Sequence, residues 1–101
     1  VVGTVSGTSI SYGSITTFNS AETGYCSMSF DPNTANKFVV AYRDDVTSAG
    51  RGTAQVGTVS GTSVSFGSKA IFESGATSYV SASYDPNTAG KCVIVCTDDS
   101  N

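Results

Sequence analysis

The sequence contains no histidine. That removes at one stroke the commonest general base, the usual serine and cysteine triads and most zinc sites. Charge is scarce too: Asp, Glu, Lys and Arg make up 13% of the chain, about half of the ~25% usual in globular domains. The five cations, Lys37, Arg43, Arg51, Lys69 and Lys91, are scattered, and the formal net charge is −3. Binding nucleic acid requires a positive stripe that displaces counterions from phosphates, so no nucleic-acid partner is expected. No apolar run approaches the ~20 residues of a membrane-spanning helix, so no span is expected. The chain opens on VVGTVSG, neither a basic segment nor an apolar leader. A removed signal peptide and an excerpt of something longer both stay open. With so little charge, the polar surface must be built from Ser, Thr, Gly and Asn. Such compositions are common among secreted and cell-surface β proteins, so an extracellular, virion or cell-surface location is expected.

What the chain does have is a repeat. SFDPNTANKFVV begins at Ser29, and SYDPNTAGKCVI begins 54 positions later at Ser83. The same offset carries Val2–Ser9, VGTVSGTS, onto Val56–Ser63 without change. It also relates Phe18 to Phe72 and Asp44-Asp45 to Asp98-Asp99, and about half of the overlapping positions are identical. A repeat of this length points to stacked or ring-forming units.

Within each unit the apolar residues alternate with a period of two, as in YCSMSFD and YVSASYD, and no helical spacing is present. Each run ends in DPNT, where Pro presets φ and Asp or Asn bonds its own backbone. Asn36 and Gly90 occupy the place that calls for a left-handed residue. The pattern predicts strands at Tyr25–Phe30, Lys37–Arg43, Thr53–Val59 and Ser63–Phe72, the last two joined at Ser60-Gly61-Thr62. Repeat-equivalent strands fall at Tyr79–Tyr84, Lys91–Thr97, Val1–Val5 and Ser9–Phe18. The fold expected is all-β, with antiparallel four-stranded blade repeats of a β-propeller and two blade equivalents per chain. Residues 1–20 and 75–101 then make the halves of a split blade, and residues 21–74 make a complete one.

Folding each hairpin about its turn pairs Phe30 with Phe38, Met28 with Val40 and Cys26 with Tyr42. The second copy sets Tyr84, Ala82 and Val80 against Cys92, Ile94 and Cys96. The opposite faces are slim, with Ser27 and Ser29 opposite Ala41 and Val39, and Ser81 and Ser83 opposite Val95 and Val93. Neither face carries the charge of a solvated sheet, so both are expected to be covered, bulky surface on slim surface. That contact is head-to-tail, and it calls for further repeats or other copies of the chain as partners.

The DPNT hairpins followed by VGTVSGTS resemble the repeats of secreted or virion-associated β-propeller proteins, and SFGS resembles the FG-GAP repeats of integrin-type propellers. The resemblance implies a propeller-type fold with a binding or scaffolding role. It carries over no catalytic residue. DPNTAN lacks the alternating carboxylates of the calcium loop in FG-GAP repeats.

The function expected is that of a non-enzymatic repeat module binding glycan or a cell-surface protein. The alternative is the structural subunit of a surface fibre built by open stacking. Candidate ligand-binding residues are Tyr25, Arg43, Asp44, Asp45, Tyr79, Asp98 and Asp99. The two tyrosines could stack on sugars or simply pack. The Asp pairs could ligate Ca²⁺ with backbone carbonyls, but the preferred reading is that they end the strands and bond the following turns, and no cofactor is expected. Binding surfaces are expected on Val46–Gly52, Ser20–Gly24 and Ser74–Ser78, where the repeats differ most. The three cysteines are expected to be small buried residues, since Cys92 and Cys96 lie too far apart on an extended strand to bridge.

Overall fold

The computed structural model describes residues 1–46 and 49–100. Its elements are all strands: β1 (Gly3–Ser6), β2 (Ser9–Tyr12), β3 (Thr23–Phe30), β4 (Lys37–Asp44), β5 (Arg51–Ser60), β6 (Ser63–Phe66), β7 (Ala70–Tyr84) and β8 (Cys92–Asp98). There is no helix among the described residues, and every strand pairing is antiparallel. β1 and β2 form a separate hairpin, while the main sheet runs β3-β4-β5-β7-β8 with β6 also paired to β5.

The DPNT turns fold as their residues dictate. Asp31 Oδ1 accepts the Asn33 N–H at 2.9 Å, and Asp85 Oδ1 accepts that of Asn87 at 2.8 Å. Asn36 and Gly90 both take the left-handed conformation, at φ 63° and 78°. The turns set the register, so Phe30 faces Phe38, Met28 faces Val40, and Ser27 and Ser29 face Ala41 and Val39. The second hairpin repeats this with Tyr84 on Cys92 and Ala82 on Ile94.

The expected pairing of Cys26 with Tyr42 is replaced by a bulge. Tyr25 and Cys26 together stand opposite the single residue Tyr42 of β4. In place of the expected pairing of Val80 with Cys96, Tyr79 and Val80 together stand opposite Cys96 of β8. Both tyrosines have positive φ, 51° and 52°. An aromatic residue seldom adopts that conformation, and the strain is of order 1–3 kcal/mol each.

The strand expected at Ser63–Phe72 does run the length of β5, interrupted at residues 67–69: Phe66 pairs with Gly57, and Ala70 with Ala54. It continues without a loop into the next hairpin, because β7 spans both. Residues 74–78, expected as a loop, are therefore strand. The equivalent strand expected at Ser9–Phe18 stops at Tyr12.

Phe38, Val40 and Tyr42 form the core, with Phe18, Val59, Val64 and Phe66 packed on them. Phe18 meets Tyr42 and Phe66 at ring-centroid distances of 5.0 and 5.6 Å. Gly57 is required opposite Phe38, because a Cβ there would collide with the ring. The buried Tyr42 hydroxyl donates to Gln55 Oε1 at 2.6 Å, and Gln55 Nε2 donates to the Gly67 carbonyl at 3.1 Å. Burial, followed by the charge of Asp44 and that of Cys26, pushes the Tyr42 phenol up to about 12.

The slim face of β3–β4 is covered by β7, leaving Val39 4% and Ala41 0% exposed. The contact is polar as well as apolar. Ser27 Oγ accepts the Ala82 N–H at 3.1 Å, and Ser29 Oγ accepts that of Tyr84 at 3.2 Å. The turns dock too, with Asp31 Oδ2 accepting the Gly90 N–H at 2.8 Å and Asn33 Nδ2 donating to the Pro86 carbonyl at 2.9 Å. The equivalent slim face of β7–β8 is open, and Val93 and Val95 there are 65% and 58% exposed. Coverage of the slim face therefore holds for the first repeat only. Its bulky face is closed over β4 but open over β3, where Met28 and Phe30 are 49% and 54% exposed.

Replacing Tyr42 by Phe leaves Gln55 Oε1 without its donor inside the core, so urea denaturation should show a loss of about 1–3 kcal/mol. The raised phenol contributes to the alkaline limb, alongside Cys26, Tyr84 and Cys96, which burial also pushes up. Its contribution is complete below the ordinary tyrosine value of ~10 and fades as pH climbs through the folded value. Tyr42→Phe should flatten that limb.

Candidate functional site

Of the seven candidate residues, five gather at one end of the sheet. The bulges in β3 and β7 turn Tyr25 and Tyr79 toward each other, with ring centroids 5.1 Å apart and planes tilted by 50°. Both rings stay accessible, 46% for Tyr25 and 70% for Tyr79. Arg43, at the end of β4, joins the pair to its surroundings. Its Nε donates to Asp45 Oδ1 at 2.7 Å, and its Nη1 reaches the Thr77 carbonyl at 3.4 Å. The guanidinium lies over Gly50, whose positive φ of 65° and missing Cβ leave it room. The hydrogen bond to Asp45 holds Arg43 in its charged form, and the charges of Tyr25 and Asp99 act in the same sense. Asp99 accepts from Ser78 Oγ at 2.5 Å, which places a second carboxylate beside the second tyrosine.

The remaining two candidates have other tasks. Asp44 is 2% exposed and accepts from Asn19 Nδ2, the Val46 N–H and Lys69 Nζ, at 3.1, 3.0 and 3.1 Å. It ties three segments together: the stretch before β3, the end of β4 and the residues ahead of β7. Burial disfavours its charge, but those donors outweigh burial and hold the carboxyl below the ordinary aspartate range. Asp98 is exposed and bonds only its own turn, through the Ser100 N–H at 2.9 Å and the Ser100 hydroxyl, which keeps its carboxyl low. Adjacent aspartates thus point to different partners. No group of three metal-ligating side chains exists among the described residues.

Sequence reasoning missed the partners of these groups. Lys69 and Asn19 replace Ile15 and Glu73 at the equivalent places, so the repeat itself does not signal them. It also missed the hydroxyls of Ser27 and Ser29 as acceptors. Their alternation was legible, but its use as an edge cap was not. The three cysteines, expected to be buried, are all free and exposed. Cys92 and Cys96 lie on the bulky side of β8, which nothing among the described residues covers. Of the expected binding segments, Val46–Gly52 includes Thr47 and Ser48, which lie outside the described residues, and Ser20–Gly24 runs into β3.

A concavity of about 460 Å³ opens between residues 1–3 and the bulky side of β3–β4. Its walls are mainly apolar, with Met28, Phe30, Phe38, Val40 and Phe66 among them. No helix among the described residues is long and apolar enough to cross a membrane.

Because Asp44 is buried with three donors and Asp98 is exposed, Asp44→Asn should cost about 1–3 kcal/mol in thermal or urea unfolding. Asp98→Asn, at an exposed site bonded only to its own turn, should leave the unfolding transition essentially unmoved. The Asp44 contribution is complete above the ordinary aspartate value of ~3.9 and disappears as pH falls through the lowered folded value. The acid limb of the stability curve should be shallower in Asp44→Asn.

No protein-family model, curated protein or solved structure matches the chain.

Proposed function

We propose that this chain is a non-enzymatic, extracellular repeat module of β-propeller type that serves as a binding platform and scaffold for a glycan or a surface protein. Support for the propeller-type arrangement comes from the run β3-β4-β5-β6, four consecutive antiparallel strands followed by the next hairpin packed on the slim face. The observation that carries the binding role is the tyrosine pair. Two bulges at equivalent positions hold Tyr25 and Tyr79 in a strained backbone conformation, and the result is an exposed aromatic surface shared between repeats. Strain kept twice at one position, with both rings left accessible, favours a use for those rings. A sugar ring can stack on Tyr79, while Arg43, Asp45 and Asp99 meet its hydroxyls. The carboxylates are engaged by Arg43 and Ser78 rather than set as an acid and base pair, which favours recognition over hydrolysis.

The fibre reading has its own support in the open slim face of β7–β8. Electron microscopy separates the two, since closed particles of one size fit the platform and indefinite filaments fit the fibre.

Glycan-array screening tests the platform. Tyr79→Gly removes the stacking surface and relieves the backbone strain, so stability should change by no more than about 1 kcal/mol. Binding to whichever glycans the wild type retains should fall at least tenfold. An array on which the wild type retains nothing would remove the glycan reading, and undiminished binding by Tyr79→Gly would remove the tyrosine site.

A further inference from the structure

We infer that the chain joins a second copy of itself head to tail, the β7–β8 hairpin of one copy receiving the β1–β2 hairpin and β3 of the next. This extends the scaffolding reading and rests on it only in that repeats associate. Ligand binding at the tyrosine pair can fail without affecting it.

The joint is already formed once inside the chain. There β4 takes β5 as its neighbour, with Lys37 opposite Thr58 and Phe38 opposite Gly57, and Lys37 Nζ donates to Thr58 Oγ1 at 2.7 Å. Moving 54 positions forward from β4 reaches Lys91 and Cys92, and moving 54 back from β5 reaches Gly3 and Thr4. Lysine, threonine and glycine are all retained. Among the described residues β8 pairs only with β7, and β1 only with β2, so each has an open edge. Lys91 opposite Thr4 and Cys92 opposite Gly3 of a second copy rebuild the internal ladder across two chains.

The side chains follow the same logic. Val59, Val64 and Phe66 pack on the core residues Phe38, Val40 and Tyr42. Their counterparts Val5, Ile10 and Tyr12 are 71%, 52% and 66% exposed, an apolar surface with no packed partner among the described residues. The counterparts of Phe38 and Tyr42 are Cys92 and Cys96, also exposed. Side-chain size changes in opposite directions at the two ends. Ile10 and Tyr12 are larger than Val64 and Phe66, while Cys92 and Cys96 are much smaller than Phe38 and Tyr42, a loss that the extra methylene of Ile94 over Val40 does not make up. The bigger hairpin fits the emptier face.

The polar groups are present as well. Ser81 and Ser83 repeat the two serines that cap β7, and both are exposed. The N–H groups of Met28 and Phe30 in the next copy stand where those of Ala82 and Tyr84 stand in the first joint. Asp85 likewise repeats Asp31, and the Asn36 N–H of the next copy takes the place of Gly90. Such docking would cover Val93 and Val95 as Val39 and Ala41 are covered now. The contact joins two different surfaces, so it propagates until it closes or continues.

The test uses two variants at exposed positions, Ile10→Asp to disable the head and Cys92→Glu to disable the tail, with circular dichroism confirming unchanged β content. In sedimentation velocity over a dilution series, the wild type should associate and each variant alone should remain monomeric. Mixed together they retain one good head and one good tail, so the mass should double to a one-to-one dimer. Thiol labelling of Cys96 in the Ile10→Asp partner should slow at least severalfold in that mixture. A wild type monomeric throughout, a mixture that stays monomeric, or a variant that associates as well as the wild type would each overturn the inference.

Discussion

Two serine hydroxyls hold the repeats together. The edge of β7 that faces away from β8 presents unpaired N–H groups, because alternate residues of an antiparallel strand point to opposite neighbours. Ser27 and Ser29 accept two of those groups, at 3.1 and 3.2 Å, from the slim face of the preceding hairpin. A buried N–H left without a partner costs about 1–3 kcal/mol, so the hydroxyls remove a penalty and also supply contact. Serine suits the position because a longer side chain would keep β7 away from Val39 and Ala41. The docking of one DPNT turn on the other, through Asp31 and Asn33, fixes the far end of the same joint.

With so few charges, most of those present have a defined structural task. Asp44 ties three segments through Asn19, Val46 and Lys69, and Asp31 spans the two turns. Asp31 is nearly buried, and burial works against its charge, but the N–H groups of Asn33 and Gly90 and the Thr34 hydroxyl hold its carboxyl below the ordinary range. What packing leaves accessible is two strained tyrosines and the open faces at either end.

Much of this was legible in the letters. The DPNT turns and the alternation fixed the registers of both hairpins, down to Phe30 on Phe38, because a slip of one residue would exchange the two faces. The left-handed place at Asn36 and Gly90 was legible for the same reason, since few residue types tolerate it. The bulges were not. Tyrosine gives no signal of positive φ, and YCSMSF alternates as if Tyr25 and Cys26 belonged to a regular strand. The long β7 was hidden because Ser74–Ser78 reads as a loop by composition, although it pairs at Ala76 with Arg51 and at Thr77 and Ser78 with β8. The exposure of the cysteines followed from which neighbours this chain supplies, a matter that side-chain type alone does not encode. Lys69 as the partner of Asp44 was invisible because it breaks the repeat.

Amide hydrogen exchange at Ala82 and Tyr84 tests the central joint most directly. Both amides should be protected to the same degree as neighbouring ladder amides in β7, and the Ser27→Ala, Ser29→Ala double variant should lose that protection while Met28 and Val40 stay in register. Exchange of Ala82 and Tyr84 at open-chain rates in the wild type, or unchanged protection in the double variant, would contradict the account.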